Sequence, residues 1–153
     1  MRHTLRGLTL LACLTAFSGT VWAATQEMLP GDVVANRQRL MKLMAASWAD
    51  IQAKAKAGNI EAIVVNAETI AVSSYHIPAL FPAGSASDQS AAKPEIWQRF
   101  DEFQAAARNL TATAEALRDA ARAKDAPKVE AMMKEFGPKA CGTCHQPFRK
   151  PRQ

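Results

Sequence analysis

From Leu29 onward, apolar residues recur at three- and four-residue spacing, and no stretch sustains the alternation of a strand. That period belongs to amphipathic helices. Leu29, Val33, Leu40, Met41, Met44, Trp48 and Ile51 predict a first helix from about Pro30 to Ala57. Pro30 suits its first turn, and Gly58-Asn59 stops it. Ile63, Val64, Ala67, Ile70 and Ala71 predict a second, from Ile60 to about Tyr75, closed off by Pro78. A connection from Ile77 to Lys93 follows, with Pro78, Pro82, Gly84 and the polar run Ser85 to Ser90, and it reads as a surface crossover loop. Ile96, Phe100, Phe103, Ala107, Leu110, Ala114 and Leu117 mark a third helix from near Pro94 to about Lys124. Asp125 caps a fourth, with Pro127 in its first turn. Its stripe is Val129, Met132, Met133, Phe136, Ala140, Cys144 and Phe148, and Gly137-Pro138 should interrupt it.

Four such helices, two short connections and one longer one predict an all-α, antiparallel four-helix bundle. A length of 153 residues suits one domain with a real core, and 48% hydrophobic and 22% charged residues are ordinary for a globular chain. The start is different. Arg2 and Arg6 precede an apolar run from Leu8 to Phe17, and Val21-Trp22-Ala23 resembles a small-x-small cleavage site. The expectation is a signal peptide over residues 1–23 and a mature domain over 24–153. A membrane anchor is the competing reading, but the run is too short to span comfortably. Cleavage removes Cys13, leaving two cysteines, and lowers the formal charge from +5 to +3, because Arg2 and Arg6 leave. So mild a basic balance does not argue for nucleic acid, and no aromatic-interleaved basic stripe supports it. It could steer an acidic redox partner.

Both remaining cysteines lie in Cys141-Gly142-Thr143-Cys144-His145. This is C-x-x-C-H, the attachment signature of a c-type haem. Thiols one helical turn apart can form thioethers with two vinyl groups of one porphyrin, and the adjoining His145 can give the iron a nitrogen ligand. A zinc site or a disulfide pair are the alternatives for C-x-x-C alone. Zinc needs further ligands, and outside the leader the only other histidine is His76. His76 sits beside a proline loop at the end of the second helix and reads as a surface residue. Trp48, Trp97, Phe100, Phe103 and Phe136 read as core or haem-packing aromatics. The acidic residues read as solvated faces.

Several stretches together carry a family likeness: Arg37-Gln38-Arg39-Leu40-Met41-Lys42, Pro78-Ala79-Leu80-Phe81-Pro82, Lys93-Pro94-Glu95-Ile96-Trp97 with Phe100 and Phe103, and Cys141 through Arg149. Over essentially its whole mature length the chain resembles the cytochrome c′ family, the class II c-type cytochromes. Class I cytochromes c usually carry the motif near the N-terminus and fit poorly. The resemblance implies a left-handed bundle with one covalent haem c near one end, and a periplasmic home in a Gram-negative bacterium. With no other long apolar stretch in the sequence, no membrane association is expected after signal cleavage. A homodimer through the first helices, as many relatives form, is a further expectation.

The resemblance also distributes roles. Cys141 and Cys144 would be the thioether anchors and His145 the proximal iron ligand. Arg149, four residues on, would lie near His145 and tune the iron, with an exposed helix-end cation as the alternative. Arg37 would lie near a haem propionate, which its planar guanidinium can fork. Met41, one turn after Arg37, would face the open side of the haem. If its thioether binds, the iron is six-coordinate and suited to electron transfer with periplasmic redox partner proteins. If Met41 only packs, as methionines in cores commonly do, the iron is five-coordinate and open to NO or CO. Met44 is the neighbouring alternative. Neither reading is an enzyme, since no nucleophile–base pair stands out.

Overall fold

The computed structural model describes residues 30–151, with side chains from Val33 onward. The expected leader over residues 1–23 and the stripe residue Leu29 lie outside the described residues. Helix α1 spans Pro30–Lys56 and α2 spans Ile63–Tyr75. A 3-10 turn over Pro78–Leu80 opens the long connection. Helix α3 spans Glu95–Gln98, α4 Phe100–Arg122 and α5 Ala126–Glu135. A π-helical turn over Phe136–Cys141 then leads into α6, Gly142–Phe148. The four expected helices form an antiparallel bundle, in which α2 packs most extensively on α4 and next on α1. Among the described residues there is no strand, only a single antiparallel bridge between Ala92 and Arg149.

The stops follow from backbone chemistry. Gly58 takes a φ of 74°, and the N–H groups of Gly58 and Asn59 bond the carbonyls of Ala55 and Lys54. This paired closure needs a left-handed residue, which glycine adopts without a Cβ clash. Lys124 closes α4 with the same pair of bonds at φ 59°, a stop without glycine. The Asp125 carboxylate accepts from the Lys128 N–H and caps α5 as expected. The third helix is not continuous: Arg99 leaves helical geometry at φ −126°, ψ 48° and separates α3 from α4. The fourth is interrupted where Gly137-Pro138 stand. Pro138 has no N–H to offer the preceding turn and its ring crowds the carbonyl four residues back. The chain widens instead, and the Gly142 N–H reaches five residues back to Gly137 O.

The interior divides along the bundle. Ile51, Ile63, Leu117 and Val129 are essentially inaccessible and pack into a closed apolar core. They come from the C-terminal part of α1, the start of α2, the C-terminal half of α4 and the start of α5. In an antiparallel bundle these four stretches share one end. Around the other end lie Met44, Ile70, Leu110 and Phe136, and there the helices enclose a cavity. Ser74 and Thr111, whose hydroxyls lie 2.8 Å apart, join α2 to α4.

Candidate functional site

Cys141 ends the π turn, and Cys144 and His145 follow on α6. The Lys139 carbonyl lies in the π turn. It accepts from Thr143 Oγ1 at 2.6 Å and from Asn109 Nδ2 of α4 at 2.9 Å. Those bonds fasten the motif onto α4. Cys141, Cys144 and His145 all border the cavity, which measures about 440 Å³, within the range of cofactor pockets. The rest of its wall is mainly apolar: Met41, Met44 and Trp48 from α1, Ile70 and Ile77 near the end of α2, Phe103 and Leu110 from α4. Its polar lining comprises Arg37, Gln38, Lys42, Ser90, His145 and Arg149, with no carboxylate among the described residues.

The two thiols are free and half-buried. Burial pushes the Cys141 thiol up. It pushes Cys144 up further, to about 11, with the neighbouring Cys141 adding to the shift. Such thiols stay protonated at neutral pH, unlike the low-pKa thiolates that exchange disulfides. No cluster of three or more His, Cys, Asp or Glu stands ready for a metal ion among the described residues, so the zinc reading gains no support. A flat apolar macrocycle fits instead: the cavity is large and apolar, and both thiols and an imidazole border it from one wall.

The other expected site residues are placed as follows. Met41 and Met44 both line the cavity, Met44 the more buried of the two. Arg37 lines it as well, at 4% exposure, but its guanidinium is turned to the crossover loop. Nη1 donates to Ser85 O at 3.0 Å, Nη2 to Ser85 Oγ, and Nε to Leu80 O. Its face lies 4.1 Å from the Phe81 ring centroid. Three of five N–H donors are thus used by the loop, and burial holds the guanidinium pKa below its usual value. Arg149 borders the cavity but has left the helix: it takes an extended backbone at the end of α6, its N–H still bonded to His145 O at 3.1 Å. Arg149 is the residue at which α6 ends. His76 is exposed, against Tyr75, and does not border the cavity. Trp48 stacks on Phe136, Phe103 and Phe148 meet edge to face, and Trp97 donates to Pro82 O at 2.9 Å.

Sequence patterns missed the crossover loop as a wall of the site. Ser90, Ala91 and Ala92 line the cavity, and Ser85 is 6% exposed although it opens a polar run. The signal that could have found Ser85 was the arginine at position 37 of an apolar stripe, a buried cation that must have acceptors.

Comparison with known proteins decides the family. Residues 32–149 match the family model described as Cytochrome C'. The chain belongs to the cytochrome c′ family. It is 36% identical over 149 residues to a cytochrome c-556 of Agrobacterium fabrum, covering 95% of this chain and 94% of that one. The solved cytochrome c′ of Thermochromatium tepidum superposes with a TM-score of 0.74 at 26% identity, over 82% of this chain and all of that one. A nitric oxide complex of a variant cytochrome c prime from Alcaligenes xylosoxidans superposes with a TM-score of 0.73 at 27% identity, over 83% and 100%. Cytochrome c′ proteins carry covalent haem c, which accounts for a C-x-x-C-H motif beside an apolar cavity in a four-helix bundle.

Proposed function

We propose that this cytochrome c′ family member is a mono-haem electron carrier of the periplasm rather than an enzyme. Haem c supplies a one-electron ferric–ferrous couple to the site. Cys141 and Cys144 would hold the ring through thioethers, and His145 would offer its imidazole nitrogen to the iron. Met41 would offer its thioether to the iron, which would favour the reduced state and raise the potential. Arg37 places a buried positive charge on the cavity wall, with two N–H donors left for a propionate. Arg149 adds a second cation beside the proximal residue. The apolar lining excludes water, so little solvent reorganises when the charge changes. Redox partner proteins would meet the chain at the cavity end of the bundle.

One observation carries this reading: Met41 of α1 and His145 of α6 border the same apolar cavity. The test is the absorption spectrum of the holoprotein. Ferric low-spin haem and slow uptake of CO by the ferrous form are expected, with Met41→Leu turning the iron high-spin and opening it to CO. A ferric wild type that is already high-spin defeats the reading.

The second reading is a gas-binding protein, with Met41 as packing only and NO or CO on an open iron. Its support is the nitric oxide complex among the structural relatives. The same spectrum separates the two. Export is tested by mass spectrometry of the mature chain, which should begin at Ala24.

A further inference from the structure

The crossover segment, residues 77–93, is fastened on both sides of the cavity. On the α1 side, Arg37 reaches Leu80 O, Ser85 O and Ser85 Oγ, and Gln38 Nε2 donates to Gln89 O at 3.3 Å. On the α6 side, the Lys93 N–H donates to Phe148 O at 3.0 Å and the Lys150 N–H to Ala91 O at 2.8 Å. The segment therefore straps the helix bearing Met41 to the helix bearing His145. Ser90, between the two fastenings, and Ala91 and Ala92, at the α6 one, form part of the cavity wall.

Two of the four bonds on the α1 side fall on Ser85. A turn over 82–85, closed by the Ser85 N–H to Pro82 O bond, puts Gly84 at φ 76°, where a glycine is favoured. It delivers Ser85 to the interior. There its hydroxyl donates to Pro82 O at 2.6 Å while accepting from Arg37, and its carbonyl accepts from Arg37 as well. Among the described residues Arg37 forms no ion pair with a carboxylate, so these neutral acceptors are what holds a nearly inaccessible cation. Hydrogen bonds to a charged group are the strong ones, and leaving the charge unsatisfied is costly. Arg37 lies one helical turn before Met41.

We propose that Ser85 is a positioning residue of the cavity: through Arg37 it clamps the strap to the α1 turn that carries Met41, and so holds that wall closed against small ligands. This rests on the reading of Met41 as the second ligand, and it makes Ser85 and Arg37 one device that keeps the thioether in place.

The test uses the holoprotein as Ser85→Ala, with Ser87→Ala as a control that also removes a loop hydroxyl, one bonded only to the Gln89 N–H. Ferrous CO association is followed by stopped flow and the spin state by absorption. Ser85→Ala should show a high-spin fraction and a CO association rate raised roughly tenfold, the scale of one hydrogen bond to a charged group. Ser87→Ala should match wild type. Arg37→Lys, which keeps the charge but not the fork, should behave as Ser85→Ala. Equal spectra and CO rates in Ser85→Ala and Ser87→Ala overturn the proposal. A wild type that is high-spin before any substitution defeats Met41 ligation alone. In that case a faster CO rate confined to Ser85→Ala still supports the clamp, and equal rates still overturn it.

Discussion

Trp48 of α1 and Phe136 of the π turn stack nearly face to face, their ring centroids 4.5 Å apart and their planes 12° from parallel. Both border the cavity, where the closed core of the bundle gives way to it. The pair ties α1 to the segment that delivers the cysteines. Phe136 is 1% exposed, so Phe136→Ala removes a full aromatic from a packed site and should cost about 3–5 kcal/mol of stability. Trp48 is partly exposed, and Trp48→Ala should cost less. Denaturant unfolding of the two variants with haem attached checks the order. An equal or reversed loss would show that the stack does not close the core.

Haem attachment should depend on both thiols. The Cys141→Ala, Cys144→Ala double variant should lose all covalent haem, so that the denatured chain has the mass of the polypeptide alone. Each single variant should keep at most one thioether. A denatured wild-type chain without added mass would contradict attachment at this motif.

Pro138 should matter for register more than for helix stability. The π turn holds one residue more than a regular turn, and one residue is about 100° of helix rotation. Pro138→Ala restores an N–H and permits regular helix through residues 136–141. The expected result is that Cys141, Cys144 and His145 rotate away from the cavity. Haem per chain, read from the alkaline pyridine spectrum, should fall well below wild type while far-ultraviolet helix signal is kept. Full haem content would show that α6 is positioned by its ties to α4 and the strap alone.

Acid should weaken the α4 surface network in a defined way. Arg118, which bonds Asp119 Oδ1 at 2.9 Å and Glu68 Oε2 at 2.6 Å, holds the Asp119 carboxyl below its ordinary value of 3.8. A depressed carboxylate pKa contributes stability above the unfolded value and loses it as pH falls through the folded one. Thermal midpoints should therefore drop from about pH 4 downward, and Asp119→Asn should show a shallower drop. The group is solvent-exposed, so the difference should be small and should shrink in salt.

Much of the fold was legible in residue order. Three- and four-residue apolar spacing marked the helices, Gly58 and Asp125 marked ends, and Gly137-Pro138 marked the interruption. These signals are local, since each depends on one turn of backbone. The break at Arg99 carries no special residue and was not legible, whereas the end near Lys124 was expected but not its left-handed turn without glycine. Arg99 is followed by the Phe100 and Phe103 packing of α4, and Lys124 is left-handed without glycine's freedom.

At the site the division is similar. By itself the sequence determined the chemistry: C-x-x-C-H sets two thiols and an imidazole on adjoining turns, and that order suits covalent haem. Only the tertiary structure decided what surrounds them. It brought Met41 and His145 to one cavity from helices about a hundred residues apart, buried Ser85 from a polar run, and turned the Arg37 guanidinium to the crossover strap. The physical reason is that a motif is a short-range arrangement along one helix. A cavity wall, by contrast, is made by long-range packing and by the need of a buried cation for acceptors, wherever in the chain they lie.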